Sequence, residues 1–172
     1  LLRYNSPKRG IVFPDEFIPL LEQSGLIESV GMWVLETALA QCKKWREIIP
    51  ALQVAVNFSS VQFEDRRIGE KIVDALKKVQ LPGNALTVEL TESVQLSGNK
   101  HYYNLIKYIK SYGVRFSIDD FGTGYSNLGY LKQLDVSEIK IDRSFVSEIE
   151  KNTYNYRLIS NVIEFAKTNA IH

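Results

Sequence analysis

The segment Val114-Arg115-Phe116-Ser117-Ile118-Asp119 alternates apolar and polar side chains, the period of two that marks a β-strand, and it runs straight into a second carboxylate, Asp120. Phe116 and Ile118 share one face, and Ser117 and Asp119 share the other. Before it, Tyr102, Leu105, Ile106 and Ile109 recur at helical spacing, and Gly113 closes that helix. After it, Leu128 and Leu131 start a short helix, and residues 138–142, Glu-Ile-Lys-Ile-Asp, read as the next strand. Further upstream, residues 53–58 and 85–90 are strands. The stretch 26–46 is a long helix, and Ile68, Ile72, Val73, Leu76 and Val79 mark another that Pro82-Gly83 stops. Leu158, Ile159, Val162, Ile163 and Ala166 form the last helix. Strand and helix alternate throughout, which implies βα units and a parallel sheet. The pitch of about 25–32 residues favours a (β/α) TIM-type barrel, here incomplete, with about five strands if Leu1-Leu2-Arg3-Tyr4 is also strand. A doubly wound sheet is the alternative, but no Gly-x-Gly-x-x-Gly follows the first strand.

Polar residues collect at one end of these strands. Asn57, Glu89, Asp119 with Asp120, and Asp142 each stand at a C-terminal strand end, where a parallel α/β fold builds its site. A polar group at one strand end is an ordinary loop cap; four successive strands doing so point to a shared pocket. Lys140 shares a face with Asp142, so it points inward, where an ammonium needs a carboxylate or a phosphate beside it. An ion pair with Asp142 or a neighbouring Asp would satisfy it structurally. The donor set is oxygen-only, which suits Mg²⁺, Mn²⁺ or Ca²⁺. Two such ions would activate a water and stabilise the leaving oxygen of a phosphodiester.

Composition removes other classes. The formal net charge is +1 and neither half is strongly basic, so no duplex nucleic acid is expected as partner. Cys42 is the single cysteine, and His101 and His172 are the only histidines, too few for a soft-ligand zinc site or an internal disulfide. No apolar run reaches the roughly 20 residues that span a bilayer, so no membrane contact is expected from this segment. Trp33 and Trp45 read as packing residues of the long helix.

The motifs closely resemble the EAL domain. Asp119-Asp120-Phe121-Gly122-Thr123-Gly124-Tyr125-Ser126, Leu131-Lys132-Gln133-Leu134 and Lys140-Ile141-Asp142-Arg143-Ser144-Phe145-Val146 carry the likeness. Upstream, Glu89-Leu90-Thr91-Glu92-Ser93, Val56-Asn57-Phe58-Ser59, Pro14-Asp15-Glu16-Phe17-Ile18-Pro19 and Leu1-Leu2-Arg3-Tyr4 extend it over essentially all of residues 1–172, read as one partial EAL domain. The resemblance implies a bacterial, cytoplasmic phosphodiesterase that opens cyclic di-GMP to linear pGpG with Mg²⁺ or Mn²⁺ in a two-metal site. It implies Asn57, Glu89, Asp119, Asp120 and Asp142 as metal ligands, Asp142 either directly or through water. Lys140 would meet the attacked phosphate and its water, Arg3 would hold a phosphate with Leu1 beside it, and Glu92 would tether the Asp-Phe-Gly-Thr-Gly loop. A homodimer and an accompanying sensor or GGDEF-type domain are implied too, the setting being either the cytoplasm or the cytoplasmic part of a membrane-anchored protein.

The Glu-Ala expected before Leu1 and the strand expected after Ile171 lie outside the 172 residues, whereas a barrel of this class needs about 250. A piece cut at both ends, inactive alone, is therefore expected. Two other functions compete. A non-catalytic cyclic di-GMP receptor would need no complete metal set, and the ligands present here are intact. A Schiff-base aldolase would need Lys140 neutral, which its carboxylate neighbours oppose.

Overall fold

A computed structural model describes residues 2–91, 100–122, 131, 134–147, 149 and 154–172. The chain opens with an antiparallel hairpin, β1 (Tyr4–Ser6) on β2 (Gly10–Val12). Helix α1 (Pro14–Gln23) follows, started by Pro14 in its first turn with Asp15 and Glu16, residues that suit a helix N-terminus. Helix α2 (Ile27–Arg46), strand β3 (Val54–Phe58) and a 3₁₀ turn (Ser60–Glu64) lead into α3 (Ile68–Val79). Then come β4 (Leu86–Thr91), α4 (Lys100–Ser111), β5 (Arg115–Phe121) and β6 (Glu138–Ile141). A short helix α5 (Arg143–Ser147) precedes α6 (Tyr154–Thr168).

Strands β3, β4, β5 and β6 pair in that order, all parallel, so each βα unit adds a strand beside the last. This is the partial α/β barrel that the alternation predicted. The count differs in one place. Among the described residues the parallel sheet has four strands, because the strand expected near Tyr4 pairs with its own hairpin neighbour instead. The far side of β6 is met by His172, whose carbonyl accepts from the Ile139 N–H at 2.8 Å. The short helix expected from Leu128 falls mostly outside the described residues.

Strand parity places the core. Val56, Phe58, Val88, Leu90, Phe116 and Ile118 are buried beneath the helices, together with Leu35 and Leu39 of α2, Ile72 and Leu76 of α3, and Ile109 of α4. Phe63 stands edge-on between Phe58 and Phe116, with ring centroids 6.0 and 6.5 Å away. The tryptophans correct the sequence reading: Trp33 and Trp45 are 57% and 47% exposed, because α2 turns Leu35, Leu39 and Cys42 inward. Helix α3 ends before the Pro82-Gly83 pair. Gln80 adopts a left-handed conformation (φ 59°), and the Leu81 N–H reaches back to the Leu76 carbonyl at 3.1 Å. No helix among the described residues is long and apolar enough to cross a membrane.

Gly83 has a packing reason. A Cβ there would overlap the backbone carbonyl of Tyr112, just before β5. Backbone cannot swing aside as a side-chain tip can. Gly83→Ala is expected to cost about 2 kcal/mol, an overpacking penalty, and to lower Tm by roughly 4–8 °C in a chain of this size. Thermal unfolding followed by circular dichroism measures it.

Candidate active site

The register aligns the polar residues across the sheet. Asn57 of β3 pairs with Glu89 of β4, Glu89 with Ser117 of β5, and Ser117 with Glu138 of β6, so the four form one lateral row. One step toward the C-terminal ends, Asp119 lies beside Thr91. All side chains of this row share the face opposite the apolar core.

Glu89 is the hub. Its residue is only 4% exposed, and both carboxylate oxygens have partners. The Asn57 Nδ2 donates to Oε2 at 2.8 Å, and the Lys140 ammonium is bound to Oε1. Lys140 also stands 4.0 Å from Asp119 Oδ2. The sequence predicted an inward lysine needing a carboxylate, and the structure supplies Glu89 rather than Asp142 as its main partner. Burial is the largest influence on Lys140 and acts to lower its pKa. The hydrogen bond and charge of Glu89, with the charges of Asp119 and Glu138, outweigh it and leave the pKa raised. Lys140 is therefore a cation at neutral pH, as the objection to a Schiff-base lysine required.

Asp119 and Asp120 are neighbours in sequence, so an ordinary strand would point them to opposite faces. A bulge prevents that. β5 takes three steps from Ile118 to Phe121 where β6 takes two from Ile139 to Ile141. Asp120 absorbs the extra residue in a left-handed conformation (φ 54°), one that aspartate tolerates better than most residues. Its N–H donates to Asp119 Oδ1 at 3.1 Å. Phe121 keeps its core position at 1% exposure. Burial raises the Asp120 pKa, and the charges of Asp119, Asp142 and Asp15 raise it further against the opposing charge of Lys140. Both acids thus belong to one negative rim.

Asp142 has a second duty. Its Oδ1 accepts the Ser144 backbone N–H at 2.9 Å and the Ser144 hydroxyl, which caps α5. These bonds, the side-chain one foremost, lower its pKa. The signal was legible in Asp142-Arg143-Ser144, where an acid two residues ahead of a helical N–H is a cap signature. Arg3 is placed by local contacts: Nη1 donates to the Leu2 carbonyl at 2.7 Å, and the guanidinium lies 4.8 Å from the Phe13 ring centre. Leu1 and Glu92 lie outside the described residues. Asp15, at the start of α1, reaches the rim electrostatically, which no strand-end argument anticipated.

The donor chemistry fits a hard divalent cation on one side. Burial first, and then the charges of Asp119 and Asp142, hold a proton on Asp120 more tightly, a strain that a cation relieves. Among the described residues, no three carboxylate, imidazole or thiolate groups close around one point. Asp120→Asn removes the repelled charge. Because the folded pKa of Asp120 is raised, its ionised form costs stability at neutral pH, a cost that fades as pH falls through that raised value toward the ordinary one. In chelator at pH 7 the variant is expected to melt about 1–2 °C above the parent, the gain vanishing near pH 4. Differential scanning calorimetry at both pH values checks the sign.

A family model described as the EAL domain matches residues 1–172. The chain is 37% identical over 169 residues to the bifunctional diguanylate cyclase/cyclic di-GMP phosphodiesterase MucR of Pseudomonas aeruginosa, covering 98% of the chain and 25% of that protein. It is 35% identical over 167 residues to the cyclic di-GMP phosphodiesterase PdeR of Escherichia coli, covering 97% of the chain and 25% of that protein. Among solved structures, the PaMucR phosphodiesterase in complex with c-di-GMP superposes with a TM-score of 0.89 at 34% identity, covering 99% of this chain and 72% of that one. The chain spans about a quarter of the length of these curated relatives.

Proposed function

Because the chain belongs to the EAL domain family, we propose that its residues form part of a domain that hydrolyses cyclic di-GMP to linear pGpG. The observation that carries this reading is the polar row itself: Asn57 and Lys140 clasp Glu89 while a bulge turns Asp119 and Asp120 to the same rim. Kinship with named cyclic di-GMP phosphodiesterases supplies the substrate, which the geometry alone does not. The family implies a divalent metal, and Mg²⁺ or Mn²⁺ suits oxygen donors. Asn57, Glu89, Asp119 and Asp120 would hold it, with the remaining oxygen of Asp142 toward it. When bound, such an ion supplies Lewis-acid polarisation of the phosphoryl group and acidifies water.

The protein's own groups do the rest. Lys140, kept cationic by Glu89 and Asp119, offers positive charge to the phosphate that gains charge in the transition state. Asn57 fixes the orientation of Glu89 from the neighbouring strand. Arg3 would hold a substrate phosphate, Leu1 would lie beside it, and Glu92 would tether the loop after Gly122. A bacterial cytoplasmic setting, a homodimer and an accompanying sensor or GGDEF-type domain belong to the same proposal.

The test is turnover of cyclic di-GMP by the protein that carries this segment, with Mg²⁺, with Mn²⁺ and with excess chelator. Appearance of pGpG with either metal and its loss in chelator is the expected result. Saturable binding with no product would make the domain a receptor. Neither binding nor product would end the reading.

A further inference from the structure

We propose that Phe145 is the positioning residue for the Asp119–Asp120 pair, its ring wedged against Gly122 so that the bulge in β5 cannot slip. The catalytic consequence rests on the function proposed above; the wedge itself rests on geometry alone.

Two contacts tie the exit of β5 to the start of α5, and a local cap braces the second. A Cβ on Gly122 would stand 2.8 Å from Phe145 Cε2 and 3.1 Å from Cζ, closer than side chains pack, so the ring fills the space a side chain would take. Gly122 has φ 108°, a conformation open essentially to glycine. The Asp142 N–H donates to the Phe121 carbonyl at 3.2 Å. Asp142 in turn caps the helix that carries Phe145, through the Ser144 N–H at 2.9 Å. Ring, backbone bond and cap therefore form one closed unit around residues 121–122 and 142–145.

That unit faces a specific opposing force. Left-handed backbone is unfavourable for a non-glycine residue, less so for aspartate than for most, so Asp120 gains by relaxing into ordinary strand geometry. Relaxation would remove the extra residue and turn one carboxylate of the pair to the far side of the sheet, since a one-residue slip exchanges faces. The 3.2 Å backbone bond is a single stop. The aromatic wedge makes the slip a steric clash. The Phe145 N–H donates to the Asp142 backbone carbonyl at 3.2 Å, but its ring bears on the pair through Gly122.

Phe145→Ala and Phe145→Leu test it, each measured in three ways. In the protein that carries this segment, hydrogen exchange at the Asp142 amide should speed up about tenfold while the Val88 amide in β4 stays protected. Calorimetric titration with Mn²⁺ alone should show about tenfold weaker binding, the size typical when a ligand's supporting contact is lost. In the full-length protein, kcat should fall by a similar factor with KM for cyclic di-GMP nearly unchanged. Gly122→Ala should also weaken Mn²⁺ binding, and the double variant Gly122→Ala/Phe145→Ala should lose less than the product of the two single losses, because one contact is being broken twice. If Phe145→Ala does not fold, Phe145→Leu decides. An unchanged Asp142 amide in the folded variant, or losses that multiply, overturns the wedge. A parent protein that neither binds Mn²⁺ nor turns over cyclic di-GMP overturns the functional reading instead, and the exchange measurement still judges the wedge.

Discussion

Asp119→Asn is expected to lower cyclic di-GMP turnover by about 10³-fold and to weaken Mn²⁺ binding, with little change in the fold. The substitution is isosteric. The amide oxygen can still accept the Asp120 N–H now bound at 3.1 Å, so the bulge keeps its local hydrogen bond. What disappears is one negative charge on the rim and the 4.0 Å contact with Lys140. Losing a preorganised charged group at a phosphoryl site costs several kcal/mol of transition-state stabilisation, hence the three decades. Stability should move by no more than about 0.5 kcal/mol, because Asp119 is half-buried and its removal also eases the repulsion felt by Asp120. Parallel titrations of parent and variant with Mn²⁺, and with cyclic di-GMP, are the check. Equal Mn²⁺ affinity in both would show that the cation sits elsewhere.

Lys140→Met should lose turnover to a similar degree and, unlike Asp119→Asn, should weaken the fold. Glu89 has a side chain only 6% exposed, and the variant leaves it with Asn57 as its remaining partner here. Breaking a fully buried pair costs roughly 3–5 kcal/mol. The Lys140 side chain is 36% exposed, so solvent screens part of the loss and about 2 kcal/mol is expected, a Tm drop of roughly 4–8 °C. The pH dependence has a definite sign. The folded pKa of Lys140 is raised, so its contribution is fully present below the ordinary lysine value of about 10.4 and is lost as pH climbs through the raised one. The stability gap between parent and variant should be flat from about pH 7 to 9 and shrink above about pH 10.5. Glu89→Gln/Lys140→Met removes both charges and should regain most of the stability with none of the activity. A double variant as unstable as the single one would mean that the pair is not what holds this part of the sheet.

Much of this was legible before any coordinates. Phe116 and Ile118 against Ser117 and Asp119 already assigned inner and outer faces, because a strand has a strict period of two. Ile68, Ile72 and Leu76 did the same for α3. Other features were hidden. Nothing near Leu2 distinguishes a barrel strand from a hairpin arm, since both are extended and differ only in a distant partner. Trp45 fits a helical stripe on paper, yet the width of that stripe is set by what packs on it. The cap role of Asp142 was readable from Ser144, but a carboxylate at a strand end looks the same whether it will cap, ligate or do both.

Local chemistry, carried entirely by residue order, determined the alternation of strands and helices, the oxygen-only donor set, and the strand ends at which it gathers. Membership of the family followed from motif order for the same reason. Only tertiary structure decided that Glu89 is the partner of Lys140, that Asp119 and Asp120 reach one rim, and that Phe145 meets Gly122. Those facts depend on register between segments far apart in the chain. Register is a property of the assembled sheet: one residue of slip leaves every local preference satisfied and sends each side chain to the opposite face.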